Sequence, residues 1–322
     1  MSLKGWGTAI PAKGQWIKLL SSEVGLFLIL LILGVVFAFT TSSFATVNNL
    51  LNVTRQVSIV LIISIGMLCV VLSGEIDLSV GATAALAGVT CATIMKSTDS
   101  ILLGVLMALL IGLLVGLING SLVVFGKIPS FIVSLSMMWM VRGVALVWTS
   151  GRAISSLPRP FSFIGAGYVG IIPASTILSI LLLIVAYFFI HKTKHGVYFK
   201  AIGSNLEAAN LSAIPIRKYK MTAFLTSGLM SAIGGIIITS KLLSAQAIAA
   251  EGMEMDVLSA VILGGASLSG GIGSVGGTLI GALIIGVVNN GMNQLGISAF
   301  YQQIVKGAII VIAVLVRQHK KE

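Results

Sequence analysis

Two carboxylates, Glu75 and Asp77, stand two positions apart in "LSGEIDLSVGA" (72–82), inside a chain that otherwise avoids charge. A carboxylate among apolar segments has three chemical uses. It carries a proton or cation, it contacts a polar substrate, or it accepts the free N–H groups that open a helix. Gly74 before the pair and Gly81 after it suit a helix break. Such a break needs protein or a water cavity to partner the freed backbone. Asp77 then reads as the N-cap of the next helix, accepting N–H groups at Ser79 or Val80, where a negative charge also suits the helix dipole. Glu75 has no such capping role.

Arg142 in "SLSMMWMVRGVALVW" (134–148) is the other costly charge. An unpaired Arg at a helix centre costs about 2.5–3.5 kcal/mol on insertion scales, so it either snorkels to an interface or pairs with a carboxylate. Lys306 in "QQIVKGAIIV" (302–311) is expected to snorkel. Asn119, Asn289, Asn290, Asn293, Gln302 and Gln303 are further polar points on apolar segments. Most are expected in interhelical hydrogen bonds, with a few left to line a path.

Other chemistries find no support. "GSLVVFGKIP" (120–129) has the wrong glycine spacing for a phosphate loop, and Ile128 stands where Ser or Thr must bind magnesium. His191, His195 and His319 lack the cysteine or carboxylate clusters of a metal site. Cys69 and Cys91 lie in apolar stretches and suggest no disulfide framework. No Ser/His/Asp arrangement is readable.

The elements that must position these residues follow from composition. The 322 residues are 57% hydrophobic and only 9% charged, with mean hydropathy +1.09, against about 25% charged in soluble domains. The chain is an all-α polytopic membrane protein, expected as one transmembrane domain over 1–322. A span needs about 20 apolar residues. The candidates are 24–41, 56–73, 101–125, 130–149, 173–191, 221–240, 278–295 and 299–316. Two stretches rich in Gly, Ala, Ser and Thr, 78–95 and 257–272, suit spans buried among other helices and bring the total to ten. Eight spans plus two re-entrant segments is the alternative.

The net charge of +11 lacks the basic stripe and interleaved aromatics of a nucleic-acid binder. Twelve of the 20 basic residues fall in three segments: Lys4, Lys13 and Lys18; Lys192, Lys194, Lys200, Arg217, Lys218 and Lys220; Arg317, Lys320 and Lys321. The positive-inside rule puts all three in the cytoplasm, namely the N-terminus (1–22), the central loop (192–220) and the tail (317–322). The 150–172 loop, with "FIGAGYVGII" (163–172), then lies outside. A faint internal echo matches "VGLINGSLVVFG" (115–126) with "IGVVNNGMNQLG" (285–296), pairing Gly116 with Gly286 and Asn119 with Asn289. That would suit an inverted five-plus-five repeat. "SVGAT" (79–83) and "SVGGT" (274–278) match at a different offset and compete with it.

The polar stretch "KTKHGVYFKAIGSNLEAANLSAIPIRKYK" (192–220) is too long for a simple helix connection. Asn205 can cap a short helix over 206–213, Glu207 falls in its first turn, and Pro215 ends it. Such a helix either docks a partner or lies solvated at the interface.

Taken together, "SSFATVNNLLNV" (42–53), "LSGEIDLSVGA" (72–82), "GKIPSFIVSLSMMWMVRGVALVWTSG" (126–151), "AIGSNLEAANLSAIPIRKYK" (201–220), the glycine-rich block 257–298 and "YQQIVKGAIIVIAVLV" (301–316) make the chain resemble the permease subunits of ABC importers for monosaccharides, the ribose-type branch. The resemblance implies a bacterial cytoplasmic (inner) membrane protein that pairs with a second permease copy or homologue. It implies a separate cytoplasmic ATPase carrying ATP and Mg²⁺, so no cofactor in this chain, and an extracytoplasmic sugar-binding protein. It also implies that 203–213 is a coupling helix, with Gly203, Asn205, Glu207, Ala208, Ala209 and Ser212 at the ATPase. Gly74, Glu75, Asp77, Ser79, Gly81, Asn119, Arg142, Asn289 and Asn290 are the candidates for the helix break and the pore. One departure stands out: such permeases carry Ser-Gly-Ile where this chain has "SAI" (212–214), which is harmless where Ala213 is helical.

The expected function is therefore the pore subunit of an ATP-driven monosaccharide importer, with a pentose such as ribose favoured, and not an enzyme. The alternatives are a proton-coupled secondary transporter using Glu75 or Asp77, a membrane receptor or scaffold, or an ABC permease for autoinducer-type furanosides, nucleosides or branched amino acids.

Overall fold

The computed structural model describes residues 23–318; 1–22 and 319–322, with the expected N-terminal segment and most of the tail, lie outside the described residues. The helices are α1 (Glu23–Thr40), α2 (Val47–Leu72), α3 (Val80–Thr98), α4 (Ile101–Val124), α5 (Ser130–Thr149), α6 (Ser162–Ala166), α7 (Ala174–His191), α8 (Lys194–Ser204), α9 (Leu206–Leu211), α10 (Ile216–Leu242), α11 (Met253–Leu263), α12 (Val275–Gln294) and α13 (Ala299–Gln318). A two-stranded hairpin, Tyr168–Val169 against Ile172–Pro173, precedes α7. Among the described residues, seven helices are long and apolar enough to cross a membrane: α2, α3, α4, α5, α7, α10 and α12.

Two long helices, α2 and α10, form the centre. Nearly all of α2 from Val57 to Leu72 is buried. It starts well before the expected Gln56 because Thr46 caps it, accepting the Asn49 N–H at 3.3 Å. Against α10, α4 packs through small residues: a Cβ on either Gly112 or Gly228 would collide with the carbonyl oxygen of the other. Lipid tails are as apolar as leucine, so close backbone approach and van der Waals packing hold such helices together.

Of the two stretches rich in small residues, 78–95 is helical over Val80–Thr98, but 257–272 is not a full span. Its helix α11 has 11 residues and stops at Leu263. The chain reaches it through a non-helical segment, 243–252, and leaves it through the glycine-rich loop 264–274. "GGASLSGG" cannot sustain helix, because glycine loses the most backbone entropy there.

The internal echo coincides with the architecture. The shift that carries Gly116 onto Gly286 also carries Leu72, the end of α2, onto Leu242, the end of α10, and Val124, the end of α4, onto Gln294, the end of α12. Packing is reciprocal: α4 lies on α10 as α12 lies on α2, and α3 lies on α10 as α11 lies on α2. The two halves run oppositely, since α10 begins beside the end of α2, as an inverted repeat requires. The correspondence stops at α1, which packs on α12, and α7, which packs on α2. The rival match is a shared helix start: Ser79 and Ser274 are both N-cap residues.

Candidate functional site

The chain breaks where the glycines suggest, but the roles differ from the simplest reading. Helix α2 ends at Leu72, Gly74 turns the chain with φ +81°, and α3 starts at Val80. Ser79, not Asp77, is the N-cap residue. Asp77 acts from two residues earlier: its Oδ1 accepts the Ser79 N–H at 3.0 Å and the Ser79 hydroxyl at 2.6 Å. Its Oδ2 accepts the Ser227 hydroxyl of α10 at 2.7 Å. Asn119 of α4 donates to Ser79 Oγ at 2.8 Å and reaches Asp77 Oδ1 at 3.4 Å. Asp77 is 2% exposed and forms no ion pair among the described residues. Hydrogen bonds from Ser79, Ser227 and Asn119 hold it, which ties α3, α4 and α10 together where the chain reverses. Gly81 lies inside α3 rather than in the break, packed on Ala250 and Glu254.

Glu75, unexplained by sequence, forms an ion pair with Lys220 in the first turns of α10. Beside it lies a cavity of about 860 Å³, lined by Lys127, Leu206, Asn210, Arg217, Lys218 and Lys220 among others. This basic end of the bundle holds the 192–215 segment.

That segment is two helices, not one helix over 203–213. Asn205 is extended (φ −157°) and separates α8 from α9, accepting the Ala208 N–H at 2.9 Å as N-cap. Helix α9 ends at Leu211, and Ala213 lies outside it with φ +55°. The premise that Ala213 is helical therefore fails; it occupies a left-handed position that glycine fills at less cost. Ala209 is buried, while Leu206, Glu207, Ala208, Leu211 and Ser212 are exposed. Aromatic contacts hold α8: Tyr198 and Phe199 meet Tyr219 of α10 edge-on.

Three backbones converge at Gly203. A Cβ there would overlap the Leu72 carbonyl oxygen and the Gly271 nitrogen. Gly270, with φ +86°, packs its Cα region against Gly203 and Gly74, and the Gly271 N–H donates to the Leu72 carbonyl at 3.0 Å. Only glycine lets three main chains approach so closely. The end of α8, the break after α2 and the glycine-rich loop thus share one contact.

Deeper in the bundle, Arg142 neither snorkels nor forms an ion pair. Its Nη1 donates to the carbonyls of Ala247 and Ala249, at 2.6 and 2.7 Å, in the segment before α11. Lys306 does not snorkel either; it pairs with Asp256 of α11 at 2.8 Å. Asn289 donates to the same carboxylate at 3.2 Å. Asn290 is buried and exchanges amide hydrogen bonds with Asn49, at 2.9 and 3.0 Å, clamping α12 to α2. The sequence reading passed over "AEGMEMD" (250–256), whose Glu251, Glu254 and Asp256 are three carboxylates beside an apolar run. The signal was there: the same scarcity of charge that singles out Glu75 and Asp77.

Residues 49–314 match the family described as "Branched-chain amino acid transport system / permease component". The chain is similar to the ribose import permease protein RbsC of Bacillus subtilis, 43% identical over 92% of this chain and 93% of that protein. The RbsC of Escherichia coli K12 is 39% identical over 91% and 92%, and the L-arabinose transport system permease protein AraH of the same organism 37% identical over 98% and 96%. No solved structure matches. The chain therefore belongs to this permease family and is the membrane-embedded component of an ABC import system.

Proposed function

We propose that the chain imports a pentose, with ribose first, across the bacterial cytoplasmic membrane, and that α8 and α9 couple it to a cytoplasmic ATPase. The cargo reading is supported by the relatives at 43% and 39% identity, which are named for ribose import, and the one at 37%, named for arabinose. The coupling reading rests on one observation, the junction of Gly203 with Leu72, Gly74, Gly270 and Gly271. Helix α9 presents exposed Leu206, Glu207 and Leu211 outward, as a docking knob does. A push on α9 passes through Gly203 to the break that carries Asp77 and to the loop that leaves α11. ATP and Mg²⁺ belong to the partner, and an extracytoplasmic sugar-binding protein delivers the cargo. Ten passes, with 243–252 and α11 together making one, put the basic end and both termini in the cytoplasm. A second permease copy or a homologue completes the path.

The test is co-purification of the tagged chain from native membranes, followed by uptake in liposomes. An ATPase that stays bound, is released by Glu207→Arg, and drives ribose uptake supports the reading. A chain that purifies without an ATPase, or moves ribose on a proton gradient alone, overturns it.

A further inference from the structure

The break between α10 and α11 is the least explained part of the bundle. Ten residues, 243–252, run without helix between two helices that the inverted repeat places at membrane depth. Non-helical backbone survives there only when buried in protein or lining an aqueous cavity, and discontinuous helices of this kind mark substrate sites in transporters. The segment is partly closed: Ala245 pairs with Ile154, both backbone bonds being 2.9 Å. Arg142 takes the carbonyls of Ala247 and Ala249.

Beyond Ala249 the chemistry changes. Glu254 and then Glu251 act on Arg142 with opposite charge, yet neither comes within ion-pair distance of it. Glu254 Oε2 is enclosed and has no hydrogen-bond partner among the described residues. It lies against Gly81, where an added Cβ would come within 2.6 Å of both it and the Ala250 carbonyl oxygen. A carboxylate oxygen enclosed without a donor carries a desolvation cost. A hydroxyl that reaches this oxygen when the packing of 250–254 on Gly81 opens removes that cost.

We propose that Glu254 and Arg142, held by the unwound 247–252 backbone over Gly81, form a sugar-hydroxyl contact on the translocation path. The proposal rests on the pentose-import reading above. The carboxylate accepts a hydrogen bond from one sugar hydroxyl while the guanidinium donates to the neighbouring oxygen. The pair carries one charge of each sign, which suits an uncharged polyol. Arg142 also positions the segment, since its Nη1 is already committed to two carbonyls.

The experiment compares uptake of ribose with that of 2-deoxyribose, 3-deoxyribose and 5-deoxyribose by the complete importer in liposomes, for the wild type, Glu254→Gln and Gly81→Ala. The binding protein's own preference cancels when the ribose-to-deoxyribose ratio of a variant is divided by that of the wild type. Misfolding lowers both sugars equally and cancels as well. Loss of the contact lowers ribose uptake at least tenfold in Glu254→Gln and shifts the ratio at least threefold for at least one deoxy sugar, with Gly81→Ala shifting it in the same direction. A ratio unchanged within twofold for every deoxy sugar overturns the contact while leaving pentose import intact. A wild type that carries leucine and no pentose overturns the import reading, and the sugar contact with it.

Discussion

Lys220 and Glu75 face each other across the point where α10 begins and α2 has just ended, their side chains 16% and 13% exposed. The pair joins the helix that leaves the 192–215 segment to the break that carries Asp77. Removing one partner strands a half-buried charge. Exposed pairs are worth about 0.2–1 kcal/mol and breaking buried ones costs about 3–5 kcal/mol, so Glu75→Gln is expected to cost about 1–3 kcal/mol and to lower uptake severalfold. The charge swap, Glu75→Lys with Lys220→Glu, is expected to recover most of the stability. Thermal midpoints in detergent of the wild type, Glu75→Lys, Lys220→Glu and the swapped pair, read as a double-mutant cycle beside Glu75→Gln, check it.

Gly203→Ala is expected to damage coupling more than stability. The added methyl collides with the Leu72 carbonyl and the Gly271 nitrogen, so the end of α8 must withdraw from the junction. The expected outcome is an ATPase that remains bound and hydrolyses ATP, with ribose uptake reduced about tenfold. Equal loss of binding and uptake would place the junction in assembly alone.

Ala213→Gly is expected to stabilise the loop. Ala213 has φ +55°, a conformation that costs a residue bearing Cβ about 1–2 kcal/mol. Glycine relieves this and gives part back as unfolded-chain entropy, leaving a gain of about 0.5–1 kcal/mol. A higher thermal midpoint with unchanged uptake is the signature.

Asp77→Ala leaves the hydroxyls of Ser79 and Ser227 without their shared acceptor, while the Asn119 amide keeps its bond to Ser79 Oγ. The expected cost is about 1–3 kcal/mol for the stranded buried groups, seen as reduced yield and midpoint. Asp77→Asn keeps one acceptor and is expected to retain ATP-driven uptake. Wild-type uptake that runs on a proton gradient without ATP, and that Asp77→Asn uncouples, would instead make Asp77 a proton carrier.

His195 gives the loop a pH dependence. Its ring stacks on Phe189 at 4.7 Å and meets Tyr219 edge-on at 5.4 Å. Burial, and then the charges of Lys194 and Lys218, hold its pKa below the ordinary 6.5. The folded loop thus binds this proton less well than the unfolded chain does. Its contribution is complete above pH 6.5 and is lost as pH falls through the interval just below. The wild-type midpoint is expected to drop on acidification toward pH ~5.5, and less so in His195→Gln.

The sequence by itself determined the membrane class, most of the spans, a break after Gly74 and Asn205 as the cap of α9. Each is a local or compositional matter: apolar run length, glycine, and cap residues act over a few positions. It also carried the internal echo, in Gly116 and Gly286, although only the reciprocal packing of α4 on α10 and α12 on α2 made that echo a repeat. What only the tertiary structure decided is where the charges go. Glu75 finds Lys220, Asp256 finds Lys306, and Arg142 finds two carbonyls more than a hundred residues away. The end of α11 at Leu263 belongs with these. A charge in an apolar bundle must be answered, but the chain has nothing local to answer with. Its partner is whichever distant segment the packing of small residues brings alongside.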